Sequence, residues 1–336
     1  WNDVLKEYLP KFINTKNELD YEVAALQLIG EVNDTHANLW GGNDKLQEKI
    51  GSNYPPFKVL FIENKLVVSD YYNPEYQSKA QVKVGDVITH VNNIAVADII
   101  KNEAINYPAS NNAARLRDIA ENILRSPNNK IAIKYVSDNV AKDVEIPLFE
   151  RKDLNYYYWY KVNENEKSYK LLNNDIGYVT LANIKSEDVA EIKRMFKNTK
   201  AIIIDIRNYP SHFVPFELGS YFMEKPTPFV TFTTGNVTTP GAFYFMEGPK
   251  IEPDGNNYKG KLAVLVNENT QSSAEYTSMA FKAVPNSVII GSTTAGADGN
   301  VSRITLPGGL STMISGIGIY YPNKVNTQRA GIVPDV

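Results

Sequence analysis

A serine at the start of a predicted helix is the residue whose surroundings best suit chemistry. Ser272 and Ser273 follow the apolar run 261–266 and open a predicted helix over 273–284. The N–H groups and dipole at a helix N-terminus stabilise negative charge, which suits the oxyanion of acyl transfer. Ser272 and Glu275 also have the spacing of a capping box, which is a purely structural role. The spacing alone leaves both roles open.

A serine nucleophile needs a base, and the composition leaves few candidates. The 336-residue chain has three histidines, His36, His90 and His212, and no cysteine. Without cysteine, disulfides, thiol catalysis and thiolate metal sites are excluded, and three histidines leave little room for a multi-histidine metal site. We therefore expect no metal and no cofactor. The base is one of the three histidines or a lysine.

Charge and hydropathy argue against two further classes of protein, those that bind nucleic acid and those that span a membrane. The net charge is −3, from 35 basic and 38 acidic side chains, and no basic run is present, which argues against nucleic acid as a partner. No apolar run reaches the roughly 18 residues that an integral membrane span needs. The chain begins at Trp1, so we expect a mature or trimmed form from which any signal peptide is gone.

The elements that must position these side chains fall into three stretches. Residues 1–50 are predicted to be a helical N-terminal segment, in which Val23, Leu26 and Ile29 share one face. Residues 51–150 show short strands and one helix, at 58–62, 65–69, 84–96, 113–124 (the helix), 130–136 and 140–148.

Strand and helix alternate in residues 151–336. Strands are predicted at 176–181, 201–206, 261–266 and 288–290, and helices at 187–197 and 273–284. This alternation favours an α/β layer with central buried strands. Ligands gather at the carboxyl ends of such strands, where Ser272 is expected.

Five segments, in order along the chain, resemble the C-terminal processing (tail-specific) serine peptidases. The segment 84–96 (VGDVITHVNNIAV) is similar to part of a PDZ domain, and the others are 201–210 (AIIIDIRNYP), 270–275 (TQSSAE), 290–296 (IGSTTAG) and 331–335 (GIVPD). The resemblance implies a mixed α/β and α+β multidomain protein. Its parts would be the N-terminal helical segment, a PDZ-like β-barrel domain over 51–150 and a crotonase-like (ββα) peptidase domain over 151–336.

The resemblance also assigns catalytic roles. Ser272 matches the nucleophile, while the family's lysine base is replaced by Ala297. The tricorn-like branch uses a histidine instead, and Asn33-Asp-Thr-His36 fits its motif, with Thr35 as the hydroxyl residue. The branch's glutamate, which acts through that hydroxyl, is matched by Gln328.

The oxyanion hole follows from the same resemblance. Its donors would be the N–H of Ser273 and an N–H of the turn after Asp205-Ile-Arg207, where Ser211-His212 replaces the family's Gly-Gly.

The implied function is a serine endopeptidase of the C-terminal processing type. It would cleave peptides or unfolded protein termini through an acyl-enzyme, in the bacterial periplasm or cell envelope, with a lipid anchor upstream of Trp1 left open. A PDZ groove would bind the substrate strand. The alternative is a catalytically impaired member that binds peptides or acts as a scaffold, because Ala297, Ser211-His212 and Gln328 depart from the family pattern. A small-molecule crotonase-type hydrolase is disfavoured by the PDZ-like segment, and the oligomeric state stays open.

Overall fold

A computed structural model describes residues 1–173 and 175–336, which form two compact units. The first unit contains residues 1–33, 37–158 and 303–313, and the second contains 34–36, 159–302 and 314–336. In the part of the chain that the model describes, no helix is both long and apolar enough to cross a bilayer. The protein is a mixed α/β multidomain chain.

The first unit holds six helices and eight strands among its described residues. They are α1 (Asn2–Ile13), α2 (Glu18–Gly30), α3 (Asp44–Ile50), β1 (Asn53–Tyr54), β2 (Phe57–Ile62), β3 (Lys65–Tyr71), α4 (Pro74–Gln77), β4 (Val87–Val91), β5 (Ile94–Ala95), α5 (Val96–Glu103), α6 (Asn112–Asn122), β6 (Lys130–Ser137), β7 (Val140–Pro147) and β8 (Phe149–Glu150). The predicted N-terminal helical stretch is interrupted between α1 and α2. There the side chain of Asn17 caps α2 by accepting the Asp20 N–H at 2.9 Å.

The main sheet of this unit is open. Its strands follow the order β2-β3-β4-β6-β7, with β5 paired to β4, and all neighbours are antiparallel. Among the described strands β2 and β7 do not pair with each other, so the prediction of a closed β-barrel is wrong. Three of the connecting turns are Glu63-Asn64, Asn92-Asn93 and Asp138-Asn139, and both residues of each have positive φ. Tight two-residue hairpin turns require this conformation, which asparagine tolerates best among residues other than glycine.

The second unit contains the remaining elements, apart from parts of β18 and β19. They are β9 (Tyr169–Leu172), β10 (Ile176–Thr180), α7 (Ser186–Phe196), β11 (Ala201–Asp205), β12 (Thr227–Pro228), β13 (Thr231–Gly235), β14 (Phe243–Glu247), β15 (Lys250–Ile251), β16 (Lys261–Val266), α8 (Ser273–Lys282), β17 (Val288–Gly291), β18 (Val301–Thr305), β19 (Ser311–Ser315) and β20 (Ile319–Tyr320). Four short 3₁₀ turns complete the described elements of the chain.

A five-stranded sheet forms the centre of this unit. Its order is β17-β16-β11-β10-β9, in which β9 is antiparallel and the other four strands are parallel. Ile202, Ile204 and Val264 have no exposed surface, as expected for central strands covered on both faces. The four parallel strands and the helices α7 and α8 confirm the alternation predicted from the sequence. Because the parallel strands end at one edge, the segments after β11 and β16 meet there.

Gly177 on β10 marks the closest approach between the sheet and a helix. A Cβ atom at this position would lie 2.5 Å from Cδ2 of Phe196, the last residue of α7, and the Phe196 ring is completely buried. We expect Gly177→Ala to lower the free energy of unfolding by about 1–3 kcal/mol, the usual cost of overpacking a core. Urea denaturation followed by circular dichroism measures this change. The double variant Gly177→Ala/Phe196→Leu should recover part of the loss, and equal losses in both variants would contradict the steric cause.

Candidate active site

Ser272 lies in the turn between β16 and α8 and has an unusual backbone conformation. Its φ is 57° and its ψ is −122°, whereas a helix N-cap residue normally has extended angles. A residue other than glycine held in such a region costs on the order of 1–3 kcal/mol and is found where function requires it. The Ser272 N–H donates to the Ala297 carbonyl at 2.8 Å and to the Glu275 carboxylate at 3.2 Å. The Glu275 contact is part of a capping box, but capping does not require the strained conformation.

The Glu275 carboxylate is completely buried and anchors a neighbouring segment. Besides the Ser272 N–H, it accepts the Thr294 hydroxyl at 2.5 Å, the Gly296 N–H at 2.8 Å and the Ala297 N–H at 2.9 Å. Burial raises the pKa of Glu275, while these four donors act in the opposite direction. The carboxylate therefore ties residues 294–297 to the first turn of α8.

Two further residues singled out in the sequence contact this same segment. The Thr35 hydroxyl donates to the Ala295 carbonyl at 3.1 Å. The amide oxygen of Gln328 accepts the N–H of Asp298 at 3.2 Å. The segment 294–298 thus brings Ser272, Thr35 and Gln328 together, although they lie far apart in the sequence.

His36 is buried and its ring takes part in a polar network. Nδ1 of His36 lies 2.9 Å from the Ser315 hydroxyl oxygen and 3.7 Å from Oδ1 of Asp34. The Ser315 hydroxyl donates to Asp34 Oδ1 at 3.1 Å and accepts from Gln328 Nε2 at 3.2 Å. Asp34 also accepts the N–H of His36 at 3.0 Å and the N–H of Ser315 at 2.6 Å.

The hydrogen-bond directions in this network assign the histidine tautomer. Because the Asp298 N–H can only donate, the Gln328 oxygen must face it and the amide NH₂ must face Ser315. Ser315 has one hydroxyl proton, which goes to the Asp34 carboxylate, and one lone pair receives the Gln328 donor. The remaining lone pair can only accept, so Nδ1 of His36 carries the proton. Nε2 then keeps the lone pair that a general base needs.

Ser315 and Asp34 were not among the predicted site residues. Thr35 was expected to link His36 to Gln328, yet its hydroxyl donates to the Ala295 carbonyl, and Ser315 contacts both His36 and Gln328. Asp34 lies within the quoted motif 33–36 and could have been found from it. Ser315, at the end of β19, carries no sequence signal.

Of the two N–H groups predicted to donate to an oxyanion, that of Ser273 has no acceptor within its helix and that of Ser211 is already bonded. Ser273 is the first residue of α8, so its N–H has no acceptor within the helix. The N–H of Ser211 donates to the Leu181 carbonyl at 2.9 Å, and its hydroxyl donates to the Ile184 carbonyl at 2.6 Å. In this conformation the Ser211 N–H is therefore not available to an oxyanion, contrary to the expectation.

The other two histidines lie outside this network. His90 is on β4 of the first unit, with Nδ1 at 3.0 Å from the Thr89 hydroxyl. His212 is exposed in the turn after β11. At the end of β11, burial acts to raise the pKa of Asp205, but the Arg207 guanidinium and the Tyr178 hydroxyl outweigh it and hold that pKa below its usual value. This ion pair joins two residues at the start of the turn that contains His212.

A cleft of about 770 Å³ opens beside Ser272. Its lining is mostly apolar and aromatic: Tyr209, Phe213, Phe232, Thr233, Thr234, Gly235, Met246, Ser272, Ser273, Tyr276, Asp298, Gly299, Asn300, Gly316, Ile317 and Ile319. Such a lining suits an extended chain with apolar side chains. Within residues 1–173 and 175–336, no group of three or more histidine, aspartate or glutamate side chains is arranged to hold a metal ion.

Asp298 is the acidic residue of this cleft. Its side chain is 4% exposed; Oδ1 accepts the Gly299 N–H at 2.7 Å, and Oδ2 has no partner in the described structure. Burial first, and then the charge of Glu275, raise the pKa of Asp298 well above its usual value.

Comparison with known proteins finds similarity in sequence and in fold. Residues 175–336 match the model of peptidase family S41. The crystal structure of mature CPAF in complex with lactacystin is 14% identical, with a TM-score of 0.70 over 99% of this chain and 87% of that chain. An inferred peptidase of Parabacteroides merdae is 16% identical, with a TM-score of 0.56 over 100% of this chain and 80% of that chain. No curated protein sequence matches the chain. The family match supports a serine peptidase, which is a hydrolase, and the structural likeness shows a shared fold.

The buried acid Asp298 should make stability depend on pH. Because its pKa is raised in the folded state, its contribution is fully present below the unfolded pKa near 4 and is lost as the pH rises through the folded value. Asp298→Asn does not titrate, so we expect its stability relative to wild type to increase as the pH rises from about 4. Denaturant titrations of both proteins at several pH values measure this difference. A parallel pH dependence in the two proteins would contradict the assignment.

Proposed function

We propose that this chain, whose residues 175–336 match peptidase family S41, cleaves peptide bonds with Ser272 as nucleophile and His36 as general base. The observation that carries the proposal is the set of contacts made by Ser315, which accepts from Gln328, donates to Asp34 and lies 2.9 Å from Nδ1 of His36. These contacts assign the ring proton to Nδ1, so that Nε2 of the neutral ring carries the lone pair. The strained backbone of Ser272 at the start of α8 adds independent support.

The chemistry follows from these roles. Nε2 of His36 takes the hydroxyl proton of Ser272 while the serine oxygen attacks the scissile carbonyl carbon. The Ser273 N–H stabilises the resulting oxyanion. His36 then returns the proton to the leaving amine as the C–N bond breaks, and an acyl-enzyme forms. Water, deprotonated by His36, hydrolyses that ester and releases the acid.

The network also accounts for a glutamine where the tricorn-like branch has glutamate. A carboxylate near the base stabilises the imidazolium that forms during proton transfer. Here Asp34 holds that charge, and Ser315 joins it to the ring of His36. Gln328 supplies the hydrogen-bond donor that Ser315 needs, which an ionised glutamate cannot do. We therefore place the orienting carboxylate at position 34 and not at 328.

Substrates are proposed to be peptides or unfolded protein termini, because the cleft beside Ser272 has a volume of about 770 Å³ and aromatic side chains in its lining. A PDZ-type groove in the first unit would lie between the edge strand β2 and helix α6. There the buried ammonium of Lys58 bonds the carboxylate of Glu121, and the remaining cavity is about 10 Å³, too small for a peptide. We therefore assign substrate binding to the cleft. The proposed location is the cell envelope, and this proposal rests on the sequence resemblance alone.

One observation favours the alternative of a peptide-binding member with slow chemistry. The second expected oxyanion donor, the Ser211 N–H, is bonded to the Leu181 carbonyl. Loss of one oxyanion donor costs roughly 10²–10³ in rate. Under this alternative the protein binds peptides as tightly as a peptidase does, but a serine-reactive fluorophosphonate labels it slowly even at saturation.

Replacing either catalytic side chain should abolish activity. We expect Ser272→Ala and His36→Ala each to lower the rate of peptide hydrolysis by about 10⁴-fold or more, because nucleophile and base act as a unit. Degradation of unfolded casein and labelling by a fluorophosphonate measure the loss. His90→Ala, in the first unit, is the matched histidine control and should behave as wild type. Retained activity in both site variants would refute the assignment.

Installing the glutamate of the tricorn-like branch should impair this protein. Gln328→Glu removes the donor to Ser315 and places a second carboxylate beside Asp34. We expect a loss of roughly tenfold or more in kcat/KM, together with a shift of the acidic limb of the pH–rate profile to higher pH, because an added anion favours the imidazolium. Gln328→Ala, which adds no charge, should lose activity without that shift. Increased activity of Gln328→Glu would show that the carboxylate belongs at position 328.

A further inference from the structure

Among the described residues that line the cleft beside Ser272, one is acidic, and the catalytic steps do not use it. Asp298 lines this cleft, its side chain is 4% exposed, and its Oδ2 atom has no hydrogen-bond partner in the described structure. An unsatisfied buried polar atom costs free energy, so it is a site where a ligand group gains by binding. Asp298 also follows Ala297, whose carbonyl accepts the Ser272 N–H at 2.8 Å. Asp298 is therefore the next residue after a main-chain hydrogen-bond partner of Ser272.

The charges around Asp298 favour a cation. Among the described residues that line the cleft, none is a lysine or an arginine. Neither Asp298 nor the nearby Glu275 belongs to any of the ion pairs found in the described structure. The charge of Glu275 raises the cost of ionising Asp298, and a positive group at this place would be attracted to both carboxyls.

The walls of the cleft suit a long side chain with a charged end. The rings of Phe213 and Tyr276 lie 5.8 Å apart, and those of Phe232 and Tyr276 are stacked at 6.4 Å. Aromatic faces cover the methylene stem of lysine or arginine, and they also attract the cation itself.

We propose that the cleft binds a lysine or arginine side chain of the substrate, next to the scissile bond, with its cationic group paired to Asp298. The position relative to the scissile bond rests on the proposed function, whereas the binding of a cationic side chain does not. The subsite makes the protein selective for peptides with a basic residue at this place. It also gives the uncommitted oxygen of Asp298 its partner.

Two matched peptides test this subsite, first in the wild-type protein and then in Asp298→Asn. Two fluorogenic peptides that differ only in lysine or Nε-acetyl-lysine before the cleaved bond share the same stem but differ in charge. We expect kcat/KM to be about 10²-fold higher for lysine, because a site built for a charged group rejects the analogue that lacks it. In Asp298→Asn this preference should fall to within about threefold. Equal cleavage of both peptides by the wild type, or an unchanged preference in Asp298→Asn, would overturn the proposal.

Calorimetry separates this inference from the proposed activity. Binding of the same two peptides, without cleavage, is measured with the Ser272→Ala variant and with the double variant Ser272→Ala/Asp298→Asn. Tighter binding of the lysine peptide that depends on Asp298 supports the subsite even if the wild type cleaves neither peptide, in which case only the proposed activity fails. If the wild type cleaves the peptides but Ser272→Ala binds both with equal affinity, the proposed activity is supported and the proposed subsite is refuted.

Discussion

The buried carboxylate of Glu275 is the interaction on which the candidate site depends. It is completely inaccessible to solvent and it accepts hydrogen bonds from Ser272, Thr294, Gly296 and Ala297. Burying a carboxylate is costly unless its lone pairs are satisfied, so the four donors must stay in place. That requirement fixes the segment after β17 against the start of α8. The strained turn at Ser272 persists because this arrangement over-determines it.

The fixed segment then positions groups that come from distant parts of the chain. The Ala295 carbonyl accepts the Thr35 hydroxyl, beside His36, and the N–H of Asp298 holds the Gln328 amide. Main-chain groups therefore hold both side chains in place, and these contacts do not depend on the side chain at position 297. Under the proposed assignment, in which His36 is the base, Ala297 leaves this scaffold intact.

The sequence predicted the parts of this arrangement that local patterns determine. The buried strands at 201–206 and 261–266, the helix from Ser273 and the motif ending at His36 all have local signals. Ser315 has none, because its contact with His36 joins residues 279 positions apart and a single hydroxyl on a short strand resembles any other. The prediction of a β-barrel was not confirmed for a similar reason. A barrel closes only when its first and last strands, here β2 and β7, pair with each other, and strand periodicity carries no information on pairing partners.

Gln328 connects the two functional parts of the site. Its amide oxygen accepts the N–H of Asp298, and its amide nitrogen donates to Ser315, which contacts the ring of His36. A side chain that donates at one end and accepts at the other fits both neighbours, whereas a carboxylate fits only the Asp298 N–H. In the proposed site, a cation bound to Asp298 would therefore act through Gln328 and Ser315 on the ring of His36. A glutamine at position 328 would thus join the proposed substrate recognition to the orientation of the proposed base, with the negative charge supplied by Asp34.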